Sequence, residues 1–368
     1  MGVKLMKKKN LRWILYAVAA AAMVAIYRDT YYNGWDFSVY YNSMVAAWSG
    51  VDPYTPGTDV GWNFKYPPWT IPFFLPLGLL PLQGAKALWG ILQILCIIYS
   101  FRWLRRQGVS AAVCWVTSAC FWFLFAYHAL AGQFSLMMLA LALFGFSKKG
   151  FWQTFAAVWG LSAKMFTAFS LLGYSKLRPH LLKIAGAFAV LSLPALWLTP
   201  GHSLPRLLQS WLGSSNSSSA VMANDIVRGW RNQGLPAFFL KNGGVDRAHA
   251  WADLLAFILL AALAFYFWKP VSKKLSKPAA WAGWLALGAA LHPLAWFHSF
   301  ILAYPLAAFA VEEALPKKVA LKQKIAAGLG VLFITVVTFP IALQLCVKAW
   351  GVVLCCYSLQ LSVQKRRV

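Results

Sequence analysis

The sequence predicts an all-α polytopic membrane protein, a bundle of about 10–12 transmembrane helices with further helices lying in two loops on one face. Three observations carry that expectation. Of the 368 residues, 60% are hydrophobic and only 12% charged, with a mean hydropathy of +0.60; soluble chains run near 45–50% and about 25%. The 20 tryptophans suit a protein with two membrane–water interfaces to anchor. The basic residues fall in short clusters between apolar runs: Lys4 to Arg12, Arg102 to Arg106, Lys148–Lys149, Lys176 to Lys183, Lys269 to Lys277, Lys317 to Lys324 and Lys365 to Arg367. Loops on the cytoplasmic side of a membrane carry such clusters. Despite a net charge of +25, no soluble basic module exists to bind nucleic acid.

The spans follow in order. A crossing needs about 20 apolar residues, and the runs that qualify are Leu11–Tyr27, Ala85–Phe101, Ser110–Tyr127, Ala131–Phe146, Leu181–Leu198, Trp251–Trp268, Ala279–Leu291, His298–Leu315, Ile325–Val347 and Val352–Val363. The first follows a basic start with no convincing cleavage site and reads as a retained signal-anchor helix. Pro67–Leu82 is apolar but holds five prolines, which weakens it as a regular helix. Phe151–Tyr174 is interrupted in its middle by Lys164. If Pro67–Leu82 stays on the outer side and Phe151–Tyr174 is a pair of short helices meeting near Lys164, every basic cluster lies in the cytoplasm with both termini. Two large outer loops result, residues 28–66 and 199–250, within a single integral membrane domain over 1–368. Phe37–Trp48 and Leu204–Leu212 alternate polar and apolar residues with a helical period, as interfacial helices do. Gly213–Ser219 reads as a flexible linker by composition.

Only nine residues are acidic, so each can be weighed. Asp59, Asp225, Asp246 and Asp253 lie in or beside the outer loops without apolar surroundings. Glu312 and Glu313 end a cytoplasmic helix and read as solvated, and Asp52 sits in the turn Gly50-Val51-Asp52-Pro53-Tyr54, where Asp caps backbone. Asp36 differs: Trp35 and Phe37 flank it, with Tyr40 and Tyr41 one helical turn on. It is either the N-cap of a helix or a general base for a lipid-linked substrate, held against aromatics above the membrane surface.

Among the histidines, His292 and His298 share the outer end of a helix hairpin, but two His with no acid nearby are weak evidence for a metal. Lys164 is a candidate because a membrane-embedded cation is costly. Arg228, Arg231 and Lys241 could reach an anionic head group, and Gln133 could cap a helix or bond across helices. The six cysteines lie in apolar runs without zinc-like spacing and read as small hydrophobes. No Walker A sequence and no dinucleotide-type glycine loop is present, so no cofactor is signalled, and any donor substrate must already be in the membrane.

The outer-loop motifs carry a resemblance. Asp36-Phe37-Ser38-Val39-Tyr40-Tyr41, Gly50-Val51-Asp52-Pro53-Tyr54, Phe64-Lys65-Tyr66-Pro67-Pro68 with Pro76-Leu77, Gly132-Gln133, Lys164, Asn232-Gln233 and Pro293 to His298 follow one another along nearly the whole chain. In that order the chain resembles the GT-C superfamily of polyprenyl-phosphate-dependent glycosyltransferases, specifically glycosyltransferase family 87, the DUF2029-type mannosyltransferases. It departs in having Met165 after the lysine, where the family usually has proline, Gly234 where serine usually follows Asn-Gln, and His292-Pro293 in place of Ser-Pro.

The resemblance implies a GT-C-like bundle and a sugar on a polyprenyl phosphate as donor, most often mannose, presented from the outer leaflet. The Lys-rich interior loops and the lack of eukaryotic retrieval signals point to a bacterial inner membrane. The acceptor would be a glycolipid or envelope glycan. Asp36 would be the general base of an inverting transfer, with Lys164 and Arg231 on the departing phosphate. Tyr40, Lys65, Tyr66, Gln133, Asn232, Gln233, His292 and His298 would bind substrate. A transporter or flippase of lipid-linked sugars is the alternative. It calls for several midplane ionisable residues or an internal repeat, whereas the sequence offers Lys164 and no repeat. A non-catalytic envelope assembly protein is a third reading.

Overall fold

The computed structural model describes residues 2–55, 63–163, 165–173, 177–198, 203–217, 232–242, 250–292, 295–316, 318–335 and 345–365. Over these the chain is an all-α polytopic membrane protein; among the described residues there is no strand, only an isolated bridge between Asn232 and Trp296. Helix α1 (Gly2–Tyr32) leads into α2 (Trp35–Trp48). The proline-rich stretch then breaks into a 3-10 turn (Pro68–Thr70), a four-residue α3 (Ile71–Phe74) and a second 3-10 turn (Leu75–Leu79). Repeated prolines remove the donors that a continuous helix needs, so no single regular helix runs through this segment. It lies against α2, with Gly78 pressed onto Met44 and Trp48.

Next come α4 (Leu82–Arg106), α5 (Ala111–Ala131) and α6 (Ser135–Ser147). The stretch over 151–173 is divided, as expected, into α7 (Phe151–Ala163) and a 3-10 helix (Met165–Gly173). These fold back on each other, since a Cβ on Gly160 would stand 3.0 Å from Thr167 Oγ1. Lys164 itself lies outside the described residues. Then follow α8 (Leu177–Leu198), α9 (Leu204–Ser217), α10 (Leu235–Asn242), α11 (Ala250–Ser272) and α12 (Lys277–Leu291). A 3-10 helix (Phe297–Ala303) runs on as α13 (Tyr304–Ala314), and α14 (Leu321–Thr335) and α15 (Val347–Lys365) close the bundle. The last two cross closely: a Cβ on Gly351 would lie 2.6 Å from Gly330 O, the approach that small residues permit between helices in lipid.

Among the described residues, five helical stretches are long and apolar enough to cross a membrane, 13–32, 82–106, 111–131, 181–198 and 254–272. The remaining helices of the bundle are shorter or more polar. Three expectations are corrected. Gly213–Ser217 is not a linker but the last turn of α9, because Ser214 Oγ finds the Phe64 carbonyl at 2.9 Å. Glu312 is not merely solvated: its Oε2 accepts from both N–H and Oγ of Ser110 at 2.8 Å, tying α13 to the start of α5. Asp36 is not an N-cap, as the cap position belongs to Gly34 at φ +71°.

The bundle has two chemically different ends. Arg105, Arg106, Lys148, Lys149, Lys269, Lys274, Lys318 and Lys324 lie at one, where α4, α6, α11 and α14 end or begin. There Trp103, Phe146 and Trp281 pack edge-on or tilted with centroids 4.9–6.0 Å apart, and Lys365 Nζ donates to the Lys318 carbonyl. The opposite end holds α2, the proline-rich segment, the α5–α6 turn, α9 and the bridge from Asn232 to Trp296.

Candidate active site

The α5–α6 turn organises this second end. Gly132 adopts φ +70°, and a Cβ there would stand 2.7 Å from Phe37 Cβ and 3.1 Å from Gly34 Cα. Only glycine combines a left-handed backbone with that closeness. The start of α2 and the turn can therefore touch: Gly34 N–H donates to the Leu130 carbonyl at 2.9 Å, and Thr30 Oγ1 to the Ala129 carbonyl at 3.1 Å. From α4, Trp89 Nε1 donates to Gly132 O at 3.0 Å and Gln93 Nε2 to Gln133 O at 3.0 Å. With its backbone held on two sides, Gln133 donates Nε2–H to Asp36 Oδ2.

Asp36 thus sits in the first turn of α2, where the helix N-terminus favours a negative charge, with an amide donor fixing the carboxylate. Its charge reaches Tyr40, Tyr66 and Lys65. Burial chiefly raises the Tyr40 and Tyr66 phenols, with the Asp36 charge adding to it, and the two hydroxyls lie 3.1 Å apart. Desolvation pulls the Lys65 ammonium below its ordinary range while Asp36 opposes that shift. Lys65 is exposed by its accessible surface, so protein crowds its ammonium without sealing it from solvent. Beneath lies an aromatic wall: Tyr40 is 4.9 Å from Phe74 and 6.0 Å from Trp89, and Phe74 is 5.1 Å from Phe134. Such faces suit the apolar side of a sugar ring or a prenyl chain.

Helix α9 closes on this cluster. Trp211 Nε1 donates to the Lys65 carbonyl at 2.8 Å, next to the bond from Ser214 to Phe64 O. Asp52 makes the expected turn, accepting Tyr54 N–H at 2.9 Å, and Tyr54 hydroxyl reaches Tyr66 O at 2.9 Å. Lys65 and Tyr66 are thereby fixed between two buttresses.

A second group lies on the other side of the α5–α6 turn. Asn232 Oδ1 accepts from the N–H groups of Gly234 and Ala295 at 3.2 Å each, and Gln233 N–H donates to Ala295 O at 2.7 Å. Glycine after Asn-Gln has a steric reason here: a Cβ on Gly234 would stand 2.4 Å from the His292 carbonyl. His298 is buried, its ring 5.9 Å from Trp296 and 6.5 Å from His128.

Two residues were not anticipated. His128, at the end of α5, accepts the Leu136 N–H on Nε2 at 2.9 Å, so its neutral ring carries the proton on Nδ1. Lys348 is fully buried, with Nζ on the Ile334 carbonyl at 2.6 Å and 5.8 Å from the Phe297 ring. His128 lies among apolar residues in sequence, and only the fold brings it to His298. Lys348 had a legible signal, a lysine inside an apolar run.

Of the residues expected at a site, Asp36, Tyr40, Lys65, Tyr66 and Gln133 form one cluster, and Asn232, Gln233, His292 and His298 a second. The backbone joins them, since Gln133 N–H donates to His128 O at 3.1 Å. Arg231 and Lys164 lie outside the described residues. Among the described residues no three His, Cys, Asp or Glu side chains gather as a metal site.

A family model, glycosyltransferase family 87, matches residues 64–291. The match takes in Lys65, Tyr66, Gln133, Lys164, Arg231, Asn232 and Gln233, while Asp36, Tyr40, His292 and His298 lie beyond it and are tied to it by the contacts above. No curated protein and no solved structure matches the chain. Family membership favours a transferase over the flippase reading, and the all-helical membrane bundle agrees with it: the chain belongs to glycosyltransferase family 87.

Proposed function

We propose that this glycosyltransferase moves a hexose, mannose foremost, from a polyprenyl-phosphate donor to a lipid-linked or envelope glycan acceptor, with inversion at the anomeric carbon. The observation that carries the reading is the Asp36 carboxylate, aimed by Gln133 and backed by aromatic rings, at the end of the bundle away from the basic clusters. By the positive-inside rule that end is extracytoplasmic, which favours the outer side of a bacterial inner membrane and a donor presented from the lipid. The single integral domain over 1–368 belongs to the same reading.

In the reaction, Asp36 takes the proton from an acceptor hydroxyl as that oxygen attacks the anomeric carbon. The bond from that carbon to the phosphate oxygen breaks on the opposite face, and polyprenyl phosphate leaves with the electron pair. Lys65, with Lys164 and Arg231, balances the charge that develops on the phosphate. Tyr40 and Tyr66 hold the sugar ring, while Asn232, Gln233, His292 and His298 shape the far side of the site.

Membranes bearing the wild-type chain or Asp36→Asn, given labelled polyprenyl-phosphate mannose and a crude lipid extract, test this. Transfer by the wild type alone supports the base and the donor class. Full transfer by Asp36→Asn removes Asp36 from catalysis. Transfer from glucose or arabinose donors, but not mannose, changes the sugar and leaves the chemistry standing.

A further inference from the structure

The basic end of the bundle, far from Asp36, holds a cavity of about 720 Å³ between α11 and α15. Its lining includes Lys269, Lys274, Gln360 and Gln364 together with Phe265 and Val363, and no carboxylate is among the described lining residues. Two cations sharing a recess without an acid repel each other and favour an anion between them.

The approach to the recess is apolar. Helix α11 is the least enclosed of the candidate spans, with 6% of its window buried against 44% for α5. Leu255, Leu259, Ala262, Tyr266 and Lys269 recur every three or four residues, so they lie on one stripe of the helix. Leu255, Leu259 and Tyr266 are 46%, 55% and 73% exposed. The stripe runs from exposed apolar side chains to the cavity, where the polar residues of α11 begin. Lys269 Nζ lies 4.5 Å from the Phe265 ring centroid, which keeps the ammonium at the mouth of the recess.

We infer that this cavity binds an anionic phospholipid, its phosphate between Lys269 and Lys274 and an acyl chain along Leu255, Leu259 and Ala262. An apolar track ending on paired lysines at the interface fits an amphiphile carrying net negative charge. Free phosphate would meet the lysines but leave the track bare. A zwitterionic lipid would fill the track and bring its own cation to the two lysines.

The test is native mass spectrometry of the purified full chain, offered phosphatidylglycerol or phosphatidylcholine with identical acyl chains. Phosphatidylglycerol is expected to be retained in preference, with millimolar inorganic phosphate failing to displace it. A lysine at the surface of an anionic lipid contributes about fivefold, so Lys269→Gln with Lys274→Gln should weaken retention roughly thirtyfold. The paired Lys→Arg variant should retain it, as should Lys318→Gln with Lys322→Gln at the same end. Equal retention of both lipids, displacement by phosphate, or undiminished binding by the glutamine pair would each overturn the assignment. An unchanged melting temperature separates loss of the site from loss of the fold.

Discussion

Replacing Gly132 with alanine tests the joint that aims Asp36. The backbone there has φ +70°, which costs an L-residue about 1–2 kcal/mol. The new methyl would also stand 2.7 Å from Phe37 Cβ and 3.2 Å from Phe37 N, and crowding of that kind adds roughly 1–3 kcal/mol. Gly108→Ala is the matched control: φ is +89°, yet nothing lies within 4 Å of its Cβ. The difference in unfolding free energy between the two variants therefore isolates the crowding at the α2 contact, about 1–3 kcal/mol. The methyl can be accommodated only by moving the turn away from α2, which carries Gln133 off the Asp36 carboxylate. Losing a hydrogen bond to a charged group costs about 1.5–3 kcal/mol, a ten- to hundredfold slower transfer if it acts in the transition state. Thermal unfolding in detergent and transfer rates in membranes read the two effects separately. Equal melting of the two variants together with wild-type transfer by Gly132→Ala would refute the argument.

Three further outcomes follow from the same geometry. Gln93 is fully buried, its Nε2 holds the Gln133 carbonyl, and its Oε1 has no partner among the described residues. Gln93→Leu should leave thermal stability within about 1 kcal/mol while lowering kcat several-fold, and a large loss of stability with unchanged kcat would contradict the positioning role. Lys65 carries a lowered pKa caused first by desolvation, so raising the pH removes its charge below the ordinary lysine value of 10.5. If its ammonium steadies the phosphate, activity falls on the alkaline side below that value, and Lys65→Arg shifts the limb upward because a guanidinium stays charged. A limb that does not move in the arginine variant excludes Lys65 from that role. Trp211→Phe with Ser214→Ala removes both bonds joining α9 to Phe64 and Lys65, each contributing about 1 kcal/mol. The donor KM should rise with kcat little changed, and an unaltered KM would show that α9 and the segment bearing Lys65 act independently.

Much of the architecture was legible in the sequence because lipid imposes simple demands. Apolar runs of spanning length mark helices, prolines break the stretch over 67–82, and basic clusters sort the loops. Asp36 stood out because acids are scarce and this one is flanked by aromatics. Where sequence reading failed, contacts distant along the chain decided. Gly213–Ser217 looks like a linker by composition and becomes helix because Ser214 meets Phe64, 150 positions away. Asp36 resembles an N-cap until Gly34, packed against the α5–α6 turn, takes that position.

By itself, then, the sequence determined that this protein crosses a membrane repeatedly, which end is basic, and which motifs mark it as a glycosyltransferase. Only the tertiary structure decided that Gln133 donates to Asp36, that His128 meets His298, and that α9 locks onto Lys65. The division has one physical cause. Hydropathy and charge act residue by residue against the solvent and can be read along the chain, whereas hydrogen bonds and ring contacts between distant segments depend on how closely two backbones approach. At this site that distance is set by the missing side chains of Gly34 and Gly132.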